Sequence, residues 1–255
     1  MKHDEFGDRM KMLEGRYTNA RVFPNDFLAV RLDGKNFSKY TAQFTKPFDQ
    51  RLTDAMVDTM TFLVQETHAN VGYVQSDEIT LIYSVGEKAK EHIFGGKTTK
   101  INSILASMAA AKFNSVIESD KLAFFDCRAW AVPTAIEASN VLLWRVQDCR
   151  KNAVSAMFRW TVGAKRMHGL NQLEMQTILN EEHYGIWDAL SYQYKFGTCA
   201  TREVYQVELD YDTLQKIPED KRPVDNIINR SRMYTRHIGD YNSLPLEDRV
   251  ALVDR

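Results

Sequence analysis

Cysteine is scarce in this chain. Its three copies, Cys127, Cys149 and Cys199, stand far apart among 255 residues. An odd number without C-x-x-C spacing argues against a disulfide framework and against a zinc site, and points to a reducing, cytoplasmic compartment. Long apolar runs are missing too. None approaches the roughly 18 residues that mark a membrane span. The opening "MKHDEFGDRMKMLEGRY" is charged throughout and lacks the apolar centre of a signal peptide. Neither sign of charge prevails: the formal net charge is −1. A nucleic-acid partner would therefore be held by local basic patches, not by a globally basic surface. The six histidines are scattered, with no H-x-x-x-H grouping. The hydroxyl and thiol residues suggest no nucleophilic triad, and no internal repeat or low-complexity tract is visible.

What is present is enough apolar material, 44% of residues, to bury a real core. Residues 5–20 read as a polar helix. Phe27 to Leu32 is an almost continuous apolar run, as expected of a strand covered on both faces, and it ends at Asp33-Gly34. Leu52, Met56, Met60 and Leu63 then recur at helical spacing, with Pro47 expected in the first turn and Asp49 near the N-terminus. Two short strands flank Ser76-Asp77-Glu78 within "VGYVQSDEITLIYS". A helix over "KTTKINSILASMAAAKFNSVIES" and a strand over "KLAFFDCRAWAV" follow.

This βαββαβ order predicts an α+β fold: a ferredoxin-like antiparallel sheet with both helices on one face, the minimal palm of nucleotide polymerases and cyclases. Residues 1–135 would be the palm-like catalytic core. Residues 136–255 would be a helical and β extension packed on it. The extension begins with a long helix, for which Ser139 is the expected cap. It continues with a short helix over "NQLEMQTILNEE" and a strand over "ATREVYQVEL". Residues 210–255, polar and rich in proline, read as irregular or wrapping structure.

In a palm the end of the first strand lies beside the hairpin between strands two and three, so Asp33 and Asp77 are expected to converge. Such carboxylates can hold Mg²⁺ together with waters and substrate phosphates. Two ions about 3.5–4 Å apart would activate an attacking oxygen and stabilise a leaving one. The Gly34 carbonyl could add a ligand. Glu78, next to Asp77, would face the opposite way in a regular strand, because alternate residues of a strand face opposite sides. Lys35, Lys39 and Lys46 follow the first acid; Lys97 and Lys100 lie near the start of the second helix and suit a triphosphate. On the long helix, Arg145, Asp148, Asn152 and Ser155 share a polar stripe. Six basic residues between Arg145 and Arg166, Arg150 and Lys151 among them, lie between or beside Trp144 and Trp160. That surface suits RNA backbone and stacked bases, or is simply the wet face of an amphipathic helix. Arg230, Arg232 and Arg236 form a second, weaker basic cluster. Single motifs such as "LDG" or "SDE" are common in solvated turns; their joint placement beside very apolar runs favours chemistry.

The segments "VRLDGKNFSKY", "FTKPFDQRL", "QSDEITLIY", "GGKTTKINS", "AFFDCRAW", "WRVQDCRKNAV" and "YKFGT" occur in an order that resembles the tRNA-His guanylyltransferase family and its guanylyltransferase-like relatives. The resemblance covers roughly residues 5–200. It implies an Mg²⁺-dependent nucleotidyltransferase that extends the 5′ end of tRNA in the 3′–5′ direction. The RNA 5′-phosphate is activated, commonly with ATP; the 3′-hydroxyl of an incoming nucleotide, typically GTP, then attacks it. By position the resemblance implies Asp33, Gly34 and Asp77 as ligands of two Mg²⁺ and Glu78 as the adjacent essential acid. It implies Lys46, Ser76, Lys97, Lys100 and Asn152 as nucleotide contacts; Lys35, Asn36 and Phe37, just after the first acid, are further nucleotide candidates, and Arg145, Arg150 and Lys151 of the basic helix are the candidates for RNA. It also implies a homo-oligomer, dimer or tetramer. Eukaryotic members carry "HINNLYN" where this chain has residues 150–156, and Ser38 replaces a usual histidine. These departures resemble bacterial, archaeal and viral relatives, which tend to repair truncated tRNA 5′ ends by templated addition. Two other readings compete: a cyclase-like palm without RNA, and an idle nucleotide- or RNA-binding module. Clustered acids without metal would serve the latter poorly.

Overall fold

The computed structural model describes residues 5–84, 91–236 and 239–254. Helix α1 (Glu5–Thr18) precedes strand β1 (Phe27–Gly34), a single-turn α2 (Phe37–Tyr40) and α3 (Gln50–Thr67). The hairpin β2 (Val71–Gln75) and β3 (Glu78–Tyr83) leads through the chain to α4 (Thr98–Val116) and β4 (Phe125–Val132). The long α5 (Ala135–Thr161) is followed by α6 (Gln172–Glu181), α7 (Ile186–Ala189) and α8 (Tyr192–Phe196). Then come β5 (Thr198–Glu208), α9 (Tyr211–Gln215), β6 (Ile227–Arg236) and α10 (Leu246–Val253).

Among the described residues six strands form one antiparallel sheet, ordered β4-β1-β3-β2-β5-β6. The expected βαββαβ palm occupies its first four positions. Helices α3 and α4 cover one face, where Leu28, Val30, Leu32, Ile79 and Leu81 meet Met56, Met60, Leu105 and Phe113. The other face, with Ala29, Val71, Tyr73 and Ile82, is covered by Leu142 and Val146 of α5 and by Leu252 and Val253 of α10. Burial on both faces explains why β1, β2 and β3 are apolar nearly throughout. The edge strand β4 is only partly covered and alternates.

Three local expectations are corrected. Helix α3 starts at Gln50, not at Pro47; Asp49 is its N-cap and accepts from the Arg51 N–H at 3.0 Å. Thr134, not Ser139, caps α5; its side chain accepts from the Glu137 N–H at 3.1 Å. Ser139 lies inside the helix, and its hydroxyl donates to the Ile136 carbonyl at 2.7 Å. Residues 210–255 are not irregular, since they hold α9, β6 and α10. Strand β6 escapes a periodicity search because it is exposed or half-buried throughout and is held by main-chain pairing with β5.

Candidate active site

The acids meet where β1 ends. Asp33 stands directly across from Glu78 in the β1–β3 ladder, and the Gly34 N–H donates to the Asp77 carbonyl at 3.1 Å. The β2–β3 loop is only Ser76-Asp77. Ser76 adopts φ +49°, a left-handed conformation that costs a side-chain-bearing residue, and its hydroxyl donates to Asp77 Oδ1 at 3.1 Å. Gly34 is required here: a Cβ would run into the Phe37 ring. Asp33, Asp77, Glu78, Ser76, Arg145 and Asn152 thus line one cavity of about 370 Å³.

Residues facing one another in an antiparallel ladder share a face, so Glu78 lies on the same side as Asp33. Glu78 is nonetheless already partnered. Arg145 Nε and Nη2 donate to its two carboxylate oxygens at 2.5 and 2.8 Å, and Nη2 also reaches Asp148 Oδ2 at 2.9 Å. Burial pushes the Glu78 carboxyl up, against the pull of Arg145 and Arg31. Burial also pushes up Asp77, with Asp33 adding to it. The Asp33 carboxylate has no hydrogen-bond or ion-pair partner among the described residues. The buried Arg31 Nε, lining the same cavity, likewise has no hydrogen-bond partner.

This arrangement fits a magnesium site. The donors are all oxygens, two carboxylates line one cavity and the charge of Asp33 is felt at Asp77, and among the described residues neither has a cation partner. Among the described residues no group of three or more His, Cys, Asp or Glu is placed to hold a metal. Asp33, Asp77 and the Gly34 carbonyl would thus supply a partial shell, of the kind that Mg²⁺ completes with water and phosphate oxygens.

A second cleft of about 200 Å³ adjoins the first and shares Gln75, Ser76 and Asn152 with it. One wall is apolar and aromatic, from Phe44, Pro47, Phe48 and Met56, while polar side chains such as Thr45, Thr53 and Gln193 complete the lining; Phe48 stacks on Tyr194 at 4.5 Å. Lys46 lies at the same cleft, with Nζ donating to Thr41 Oγ1 at 3.0 Å. Cys149 also lines it, but burial pushes its thiol up to about 12, so it is no nucleophile at neutral pH. The aromatic wall escaped the sequence reading because Phe48 and Tyr194 are remote in sequence and neither follows a periodic pattern.

Other expected residues fall elsewhere. Phe37 is buried among Tyr40, Phe113 and Phe125, so its ring is core and not a nucleotide contact. Lys35, Asn36, Lys97 and Lys100 line neither cavity. Arg145, expected on an RNA-facing surface, is buried and holds Glu78 and Asp148 instead. Arg150 and Lys151 lie away from the acids on α5 and border a different groove. Trp144 and Trp160 are exposed.

A palm sheet with acids at the β1 end and at the hairpin, beside a cleft with an aromatic wall, has the layout of a nucleotide-handling palm. The profile of the tRNAHis guanylyltransferase family matches residues 7–133. A bacterial tRNA(His) guanylyltransferase-like protein, solved in complex with ATP, superposes with a TM-score of 0.80 at 31% identity, covering 98% of this chain and 99% of that one. Its structure in complex with GTP gives 0.76 at 31% identity, covering 99% and 100%. An uncharacterised protein of Acanthamoeba polyphaga mimivirus is 30% identical over 234 residues, 81% of this chain and 80% of that protein. This chain belongs to the tRNAHis guanylyltransferase family, whose members are nucleotidyltransferases.

Proposed function

We propose that the protein adds nucleotides in the 3′–5′ direction to the 5′ end of tRNA, as a templated repair enzyme, after activation of the RNA 5′-phosphate by ATP. The observation that carries this is that Asp33 and Asp77, with the Gly34 N–H bonded to the Asp77 carbonyl, line a cavity that shares Gln75, Ser76 and Asn152 with a neighbouring aromatic-walled cleft. Mg²⁺ held by Asp33, Asp77 and the Gly34 carbonyl would supply neutralisation of phosphate charge and activation of the attacking oxygen.

The protein's own groups divide the remaining work. The Phe48–Tyr194 wall and Met56 take the flat base of ATP or GTP out of water. Lys46, beside that wall, presents a point charge toward the triphosphate. Ser76 and Asn152, common to both cavities, fix the nucleotide where base cleft and acids join. Arg145 keeps Glu78 fixed and its charge met, so that Asp33 and Asp77 remain the free anions. In the first step an oxygen of the RNA 5′-phosphate attacks the α-phosphorus of ATP and pyrophosphate leaves. In the second the GTP 3′-hydroxyl attacks the activated 5′-phosphorus and AMP leaves. Templated repair, in preference to fixed G addition, is supported by residues 150–156 and by Ser38, where this chain departs from the eukaryotic motif. The enzyme would act as a cytoplasmic homo-oligomer, as in the family it resembles.

The test incubates the full chain with Mg²⁺, ATP, labelled GTP and 5′-truncated tRNA. Extension of the RNA that follows the opposing template base is expected, and Asp33→Ala or Asp77→Ala should abolish it with the circular dichroism spectrum unchanged. A small cyclic product without extended RNA, or RNA binding with no product, would overturn the proposal.

A further inference from the structure

Away from the acids, α5 borders a cavity of about 450 Å³ lined by Arg150, Trp187, Tyr192, Lys195, Asp240 and Ser243, among others. Lys195 is unusual there. It is only 9% exposed, and among the described residues no carboxylate lies within ion-pairing distance of it. Its Nζ donates to the Asp188 carbonyl at 2.9 Å and sits 5.5 Å from the Trp187 ring centre and 5.7 Å from that of Tyr192. Burial pulls its pKa down, opposed by the charge of Asp188. A buried ammonium without a carboxylate partner is costly, and an anion entering beside it relieves that cost.

The second cation on this wall is Arg150, whose guanidinium, among the described residues, makes only a long contact, 3.4 Å, to Gln176 Oε1. Two residues along α5 from Asn152, it lies about 200° around the helix axis, which separates this wall from the acid cavity. Arg150 also borders an adjoining groove of about 310 Å³ with Lys151, Gln172, Gln176 and Asn242. The one acid on the wall, Asp240, is engaged: its Oδ1 accepts from the Asn242 N–H and side-chain amide at 3.1 and 2.9 Å.

We infer that this cavity is a second anion site, separate from the carboxylate cleft, and that it takes a phosphate ester between Arg150 and Lys195. Arginine offers a planar fork to phosphate oxygens, lysine a point charge, and the half-exposed rim aromatic Tyr192 a face for a sugar or base. The phosphate would come from the backbone of an RNA strand or from a free nucleotide. The site stands independently of the reaction proposed for the acid cleft.

The experiment titrates inorganic pyrophosphate into the full chain by calorimetry in EDTA, where the acid cleft, stripped of divalent cations, repels anions. Saturable one-to-one binding is expected, at least ten-fold weaker in Lys195→Met and in Arg150→Gln and unchanged in Asp33→Asn. Arg150 is only partly buried, so Arg150→Gln decides the matter if Lys195→Met does not fold. Competition by GTP would identify a nucleotide as the source of the phosphate. Competition by a 5′-phosphorylated acceptor-stem RNA would identify an RNA strand. Absent binding, equal binding in the folded variants, or competition by neither ligand overturns the inference and leaves Lys195 a structural cation held by two rings. Failure here leaves RNA extension by the acid cleft untouched, and failure of extension leaves this binding untouched.

Discussion

Replacing Arg145 by methionine should unfold the site from within. Arg145 is 5% exposed and Glu78 7%, and they share two short hydrogen bonds. Methionine keeps much of the buried volume but leaves the Glu78 carboxylate unpaired in the interior. Breaking a buried pair from one side costs about 3–5 kcal/mol. The lower end applies here, because Arg31 Nε remains 3.8 Å from Glu78 Oε2, while Asp148, more exposed, can turn to water. For a chain of this size about 3 kcal/mol corresponds to a fall in Tm of roughly 6–12 °C. The loss should depend on pH. Glu78 already sits above the usual carboxylate range through burial, and without Arg145 it rises further. A carboxyl with a raised folded pKa favours the folded state when protonated, and that benefit disappears as pH rises through the folded value. The deficit of Arg145→Met should therefore be large at neutral pH and shrink toward about pH 5. Adding Glu78→Gln should recover most of the stability at pH 7, since no charge is then stranded. Differential scanning calorimetry of the two single variants and the double, at both pH values, completes the cycle. An unchanged Tm in Arg145→Met, or no recovery in the double variant, refutes the reasoning.

Gly34→Ala should destabilise by about 1–3 kcal/mol, since the new methyl meets the Phe37 ring, which Tyr40, Phe113 and Phe125 hold in place; urea titration measures it, and a loss below the error would show that the ring can move. Asp49→Ala removes the α3 cap and should cost about 0.5–2 kcal/mol at neutral pH. Arg51 and the Thr45 and Arg51 N–H groups hold the Asp49 carboxyl well below the usual range, so its contribution is complete above about pH 4 and is lost as pH falls further. The gap between wild type and variant should then narrow in acid unfolding curves, and a gap that widens would contradict the capping role. Phe48→Ala strips the face that Tyr194 stacks on and should raise the KM for nucleotide several-fold with circular dichroism intact; steady-state kinetics with labelled GTP tests it, and an unchanged KM would remove the base from that cleft.

The acids were legible because their signals are local. Asp33 ends an apolar run and Asp77 sits in a two-residue reversal, so strand order alone brought them together. Glu78 shows where locality fails. Its strand position was legible, but its partner comes from a helix far along the chain, and only docking of α5 decides that Arg145 meets it. For Phe37, an aromatic residue shortly after Gly34, local pattern reads alike as a ligand contact or as core. Its neighbours from α4 and β4 settle it as core. Strand β6 went unread because an edge strand bound by main-chain pairing needs no apolar alternation.

By itself, the sequence determined the βαββαβ order, the hairpin acids and the family, because periodicity, turn chemistry and motif order are carried by neighbouring residues. Only the tertiary structure decided which helix faces point inward. It turned Arg145 from a surface cation into the partner of Glu78, and it placed Arg150 and Lys195 on the lining of one cavity, because contacts between distant segments depend on register and packing that local pattern does not encode.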